Sequence, residues 1–190
     1  LLPEQAYQTM PLWVGAVPKA KHDEVHATLI DLIEKKCKGH VDTGLPATTF
    51  LLDYLERSDS HETIYTIMSK KTYPSWGYML EQGATTIWEQ WDGFWSQIHS
   101  CFAGPASWFY TGLAGIRPTP EQPGFEAFDL APAFVDGIDF VDVTYKSIRG
   151  PIGSSWRRDG ETIHWTVTIP PNTHATMHVP CLDPKAIRLD

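Results

Sequence analysis

Arg117-Pro118-Thr119-Pro120-Glu121-Gln122-Pro123-Gly124, RPTPEQPG, divides this chain into two kinds of pattern. Proline lacks a backbone N–H and clashes with the preceding turn, so prolines at 118, 120 and 123 stop any helix that reaches them. Upstream, apolar residues recur at three- and four-residue intervals: Val25, Leu29, Leu32, Ile33 and Cys37 form one face of a helix over Asp23–Cys37, with Gly39 as its stop. Downstream the period becomes two, in Val141, Val143 and Tyr145 and again in Ile163, Trp165, Val167 and Ile169. The pattern predicts a helical part over residues 1–116 and a β part over 117–190.

Moving outward toward the amino end, Gln5 to Leu12 reads as the middle of a helix, and a chain that opens on Leu1 in this way is expected to be a fragment. Phe50–Leu55 is apolar on several sides, as a buried helix is. Ser60 has the character of an N-cap, with Glu62 in the first turn of a helix through Met68. Pro74 interrupts, a short helix carries Tyr78 and Leu80 to Gly83, an extended connection follows, and a last helix runs through Trp108, Phe109, Tyr110 and Leu113 to Gly115. Toward the carboxyl end, Asp159-Gly160 is a hairpin signal joining strands 154–158 and 162–169, and a further strand over Thr173–Val179 follows Pro170-Pro171-Asn172. This part is predicted to be antiparallel.

With 190 residues and 42% hydrophobic content the chain can build a sizeable core. Asp and Glu (23) outnumber Lys and Arg (15), the net charge is -8, and no basic run is present, so nucleic acid is not an expected partner. No apolar run approaches the roughly 18 residues that cross a bilayer, and no membrane partner is expected. Cys37, Cys101 and Cys181 are far apart and lack paired spacing, which points to neither a zinc site nor a disulfide framework; no metal and no cofactor is expected. Aromatic residues make up 12% of the chain, 8 of them Trp, and a ring with an apolar face and a polar edge suits a sugar.

The chemistry concentrates in Gly83–Gly93, GATTIWEQWDG, where Glu89 stands between Trp88 and Trp91. A carboxylate walled by indoles is expected to be partly desolvated, which raises its pKa and makes it a stronger base once ionised. Glycosidic hydrolysis needs such a carboxylate together with a second carboxyl as proton donor. Asp92 reads as a structural support of the same loop.

Four segments in this order resemble the carboxyl-terminal part of bacterial α-L-rhamnosidases, glycoside hydrolase family 78: Tyr73-Pro74-Ser75-Trp76-Gly77-Tyr78, then GATTIWEQWDG, then His99-Ser100-Cys101-Phe102-Ala103-Gly104, then Trp108-Phe109-Tyr110 with Leu113-Ala114-Gly115-Ile116. The segment Pro170-Pro171-Asn172-Thr173-His174-Ala175-Thr176 is similar to that family's turn near its carboxyl end. The resemblance implies the last helical hairpins of an (α/α)6 barrel in residues 1–116, followed by an antiparallel β-sandwich in 117–190. It implies an inverting hydrolase of rhamnose-containing glycosides or polysaccharides. Glu89 would be the general base, His99 the histidine that hydrogen-bonds the rhamnose hydroxyls, and Trp76 and Trp88 the walls of the cleft. Inversion requires the two carboxyl groups to stand roughly 6.5–9.5 Å apart, with the attacking water between them.

Two departures from the family pattern set further expectations. Only Phe94-Trp95-Ser96-Gln97-Ile98 separate Gly93 from His99, where many members carry a longer loop. The family's general acid lies on an earlier barrel segment, in an Asp- and Arg-rich motif that this chain lacks; Glu24, Glu34, Glu62 and Glu81 occupy helix surfaces instead. The helices are too few to close a six-hairpin barrel, so a missing barrel segment or self-association is expected, and the chain alone is expected to be marginally stable or to self-associate, and to be inactive. The rival readings are a non-catalytic carbohydrate-binding or structural module, and an (α/α)-barrel glycosidase of other sugar specificity.

Overall fold

The computed structural model describes residues 4–181 and 183–189. It divides into two compact units, one ending at Trp108 and the other beginning at Phe109. The first is helical: α1 (Gln5–Trp13), α2 (His22–Asp31), α3 (Leu45–Arg57), α4 (His61–Met68), α5 (Trp76–Glu81) and the four-residue α6 (Pro105–Trp108). Among the described residues no helix is long and apolar enough to cross a membrane.

The helical pattern over 23–37 is realised as α2 followed by a π turn, Leu32–Lys36, in which Cys37 N donates to Leu32 O at 2.9 Å. The widened turn keeps Leu32 and Ile33 buried on the same side as Val25 and Leu29. Gly39 ends it with φ +83° and an N–H bonded to Ile33 O at 2.7 Å, a left-handed stop that glycine adopts without a Cβ penalty. Leu29, Ile33, Leu51, Leu55, Ile64 and Ile67, from α2, its π turn, α3 and α4, make the fully buried centre. Ser60 stands at the N-cap of α4 without a side-chain capping bond; its Oγ pairs with Ser58 Oγ at 3.0 Å instead.

Helix α1 packs on both α2 and α3, and its start is held by a distant loop. The Asp42 carboxylate accepts from Gln5 N at 3.1 Å, while the fully buried Gln5 side chain donates to His40 O at 2.8 Å and accepts from Asp42 N at 3.1 Å. A glutamine amide, with a donor and an acceptor at one end, satisfies both backbone groups of that loop at once.

The second unit holds two three-stranded sheets, ordered β1-β2-β6 and β3-β4-β5. Their strands are β1 (Ile116–Pro118), β2 (Ala127–Leu130), β3 (Phe140–Ser147), β4 (Gly150–Asp159), β5 (Thr162–Thr168) and β6 (His174–Met177). Helical hairpins followed by a mainly antiparallel β unit is the order the sequence predicts. One pairing differs from the expected antiparallel module: β6 runs parallel to β2, with Ala127 opposite His174. Both strands are four residues long and far apart in the chain, so no turn links them and their relative direction leaves no local trace. The β4–β5 hairpin is real but its loop is Gly160-Glu161, one residue beyond the expected Asp159-Gly160, since Asp159 pairs with Thr162. Gly160, at φ +59°, takes the first central position of the turn.

Trp156 anchors the unit, 2% exposed, with Nε1 donating to Leu113 O at 2.9 Å. Ser154 Oγ donates to Ala114 O at 2.6 Å and accepts from Trp165 Nε1 at 3.0 Å. These bonds tie the segment after α6, a π turn over Phe109–Leu113, to the sheet that follows.

Candidate active site

The site is a long loop, residues 82–104, between α5 and α6. Its foundation is a cluster of three rings. Ser75 Oγ caps α5 by accepting from Tyr78 N at 2.9 Å, which sets Trp76 in the first turn. Trp91 stacks on Phe102, with ring centroids 3.9 Å apart, and meets Trp76 edge-on at 4.9 Å. Each indole N–H finds a carbonyl: Trp76 Nε1 donates to Phe102 O at 2.7 Å and Trp91 Nε1 to Thr43 O at 3.1 Å. Buried indoles need such partners, and here the partners belong to the carboxyl end of the loop and to the turn before α3.

On this base the loop runs out and returns beside itself. Glu89 N donates to Ser96 O at 2.8 Å, His99 N to Ile87 O at 2.9 Å, and the Thr86 hydroxyl to Gln97 O. Between the limbs, Asp92 Oδ1 accepts from Phe94 N at 3.0 Å, so Asp92 shapes the tip. Gly93 sits over the Trp88 ring with φ +75°.

The limbs bring Glu89 and His99 into one loop on neighbouring segments. The Glu89 carboxylate is partly exposed, and Oε2 accepts from Ser96 N at 3.2 Å. Among the described residues Oε2 alone is engaged, which leaves Oε1 able to accept a proton from water. His99 is also partly exposed; its Nδ1 accepts from Cys101 N at 3.2 Å and its Nε2 lies 3.8 Å from Cys101 Sγ. Trp76 is half-buried. Trp88 and Trp91, by contrast, are 6% and 8% exposed and point inward, so the indoles that flank Glu89 in sequence form the core of its loop. Among the described residues no three His, Cys, Asp or Glu side chains group as they would around a metal ion.

Other side chains of the loop escaped the sequence reading. Phe94, Trp95 and Ile98 are 77%, 59% and 80% exposed, with Phe94 and Trp95 edge to face at 5.6 Å. The signal was present as an aromatic pair beside a glycine in a short connection. Cys101, which spacing assigns to neither a zinc site nor a disulfide, is the residue whose backbone N–H holds His99; the signal is the His-Ser-Cys spacing.

The chain matches two family profiles in succession. Residues 3–113 match the bacterial alpha-L-rhamnosidase 6 hairpin glycosidase domain, and residues 115–188 match the bacterial alpha-L-rhamnosidase C-terminal domain. The chain belongs to the bacterial α-L-rhamnosidase family. An α-L-rhamnosidase of Formosa agariphila is 30% identical over 172 residues, 84% of this chain and 18% of its own length. The structure of the α-L-rhamnosidase from Dictyoglumus thermophilum superposes with a TM-score of 0.88 at 33% identity, covering 95% of this chain and 21% of that one. That of the Streptomyces avermitilis α-L-rhamnosidase, complexed with L-rhamnose, gives 0.87 at 28% identity, covering 96% and 19%. The chain therefore spans about a fifth of the length of the rhamnosidases it matches, and the loop bearing Glu89 and His99 falls inside the six-hairpin segment.

Proposed function

We propose that this chain supplies the base-bearing part of an inverting glycoside hydrolase that removes terminal α-L-rhamnose from glycosides or polysaccharides, with residues 1–116 as barrel and 117–190 as the β domain. Glu89 is the general base: through Oε1 it takes a proton from a water that attacks the anomeric carbon on the face opposite the leaving group. His99 holds a rhamnose hydroxyl. Trp76 offers its remaining ring surface to the apolar side of the sugar, and Trp88 acts from below by keeping the loop in place. The proton donor to the leaving oxygen comes from polypeptide outside these 190 residues.

The observation that carries this reading is the Glu89 carboxylate: one oxygen is fixed by a backbone N–H, the other is unengaged among the described residues, and its loop is anchored by three mutually packed rings. A general base needs that combination of fixed direction and a lone pair to spare. Family membership supplies the substrate class.

The test is Glu89→Gln in the longest natural reading frame that carries this chain, assayed on an aryl α-L-rhamnoside. Turnover is expected to fall by about 10²–10⁴-fold, with rhamnose binding retained. Unchanged turnover would leave the carbohydrate-binding reading in its place. Proton NMR of the first product formed is expected to show β-L-rhamnose, since attack opposite the leaving group inverts the anomeric centre. Turnover on a different aryl glycoside in preference would point to another sugar specificity.

A further inference from the structure

The ring of His99 has two nitrogens whose roles differ with the tautomer, and the heavy-atom contacts decide between them. A backbone N–H can only donate, and that of Cys101 reaches His99 Nδ1 at 3.2 Å. Nδ1 must therefore present a lone pair. A neutral imidazole carries its single N–H proton on the other nitrogen in that case, so Nε2 is the donor. The Cys101 sulfur, 3.8 Å from Nε2, is then only a long, weak contact for that proton.

We infer that the Cys101 backbone N–H sets His99 as an Nε2–H donor, whose proton is free of any strong acceptor among the described residues of the loop and is taken by a sugar hydroxyl oxygen. The inference rests on the reading of His99 as a rhamnose-binding residue and deepens it: His99 donates to the sugar and does not accept from it. Cys101 is a positioning residue, acting through the histidine. The backbone on both sides of the pair is tethered independently: His99 N donates to Ile87 O at 2.9 Å, and the Thr49 hydroxyl of α3 donates to Cys101 O at 3.3 Å. Histidines that bind metals or activate nucleophiles are commonly oriented by a backbone or carboxylate acceptor of Nδ1–H; here a backbone donor takes that place, and the opposite tautomer follows.

The decisive measurement is nitrogen NMR of the natural protein labelled with ¹⁵N-histidine, His99→Gln identifying the resonances by their loss. A pyrrole-like, protonated Nε2 and a pyridine-like Nδ1 are expected. A proton on Nδ1 overturns the inference. Cys101→Ala keeps the backbone donor and is expected to keep the tautomer; a switch in this variant also overturns it. Cys101→Pro removes the N–H, is expected to populate the other tautomer, and raises KM for an aryl α-L-rhamnoside on the order of tenfold above that of Cys101→Ala. If Cys101→Pro does not fold, the spectra of the wild type and Cys101→Ala decide. Glutamine places an amide nitrogen near the position of Nε2 and asparagine does not reach it, so His99→Gln should retain more substrate affinity than His99→Asn. Equal KM for wild type, Gln and Asn overturns the donor role even with the expected tautomer. Full turnover in Glu89→Gln, by contrast, refutes the assignment of the base and leaves the tautomer standing.

Discussion

Gly93 is required twice over. Its φ of +75° belongs to the left-handed region, and a Cβ there would lie 2.9 Å from two carbons of the Trp88 ring. The ring is buried in the loop core and has little room to yield. Gly93→Ala thus adds backbone strain to a steric clash, and we expect a loss of about 1–3 kcal/mol in stability together with lowered turnover, because the same loop carries Glu89. Thermal unfolding followed by indole fluorescence would check it; a variant that melts with the wild type would show that the loop rearranges freely. At this scale the sequence was partly readable. The acid, the histidine and the indoles were legible as types in a pattern, whereas the inward turn of Trp88 was not, since nothing local says which neighbour of Glu89 faces the core.

Between elements, a polar contact joins α2 to α3. His26 Nδ1 lies 2.8 Å from the hydroxyl of Tyr54, a residue only 5% exposed, and His22 stacks parallel to His26 at 6.4 Å. Burial, reinforced by the neighbouring His22, lowers the pKa of His26 below its usual 6.5, against a smaller opposing pull from Asp23. A base whose folded pKa is lowered binds more protons when unfolded, so its stabilising contribution is complete above the unfolded value and is lost as pH falls through the folded one. Urea midpoints are therefore expected to decline on acidification from about pH 7 to about pH 5, and less steeply in His26→Gln. Equal slopes for the two proteins would place the pH dependence elsewhere. Helix spacing in the sequence located α2 and α3, but the His26–Tyr54 contact joins residues 28 apart and only packing creates it.

For the molecule as a whole, the chain spans about a fifth of the length of its relatives and presents apolar side chains such as Leu80, 70% exposed, and Phe94, 77% exposed. Exposed apolar area costs roughly 25 cal/mol per Å², and association is one way to remove it from water. The 190-residue chain expressed alone is expected to self-associate with rising concentration in analytical ultracentrifugation and to show no turnover of an aryl α-L-rhamnoside. Robust hydrolysis by a dilute monomer would refute both the external proton donor and the need for a barrel segment.

What the amino-acid sequence determined by itself is the change from period 3.6 to period two at the proline-rich divide, and the grouping of Glu89, the indoles and His99 within one short stretch. Both are local properties, written by side-chain spacing and backbone chemistry. Tertiary structure alone decided the parallel pairing of β2 with β6, the clamp of Gln5 on the loop at Asp42, and the burial of Trp88 and Trp91 beneath the carboxylate between them. Each of these is a contact between segments that sequence spacing does not link, or a choice of which side of a loop turns inward. Packing and hydrogen-bond satisfaction make that choice only when the whole chain is assembled.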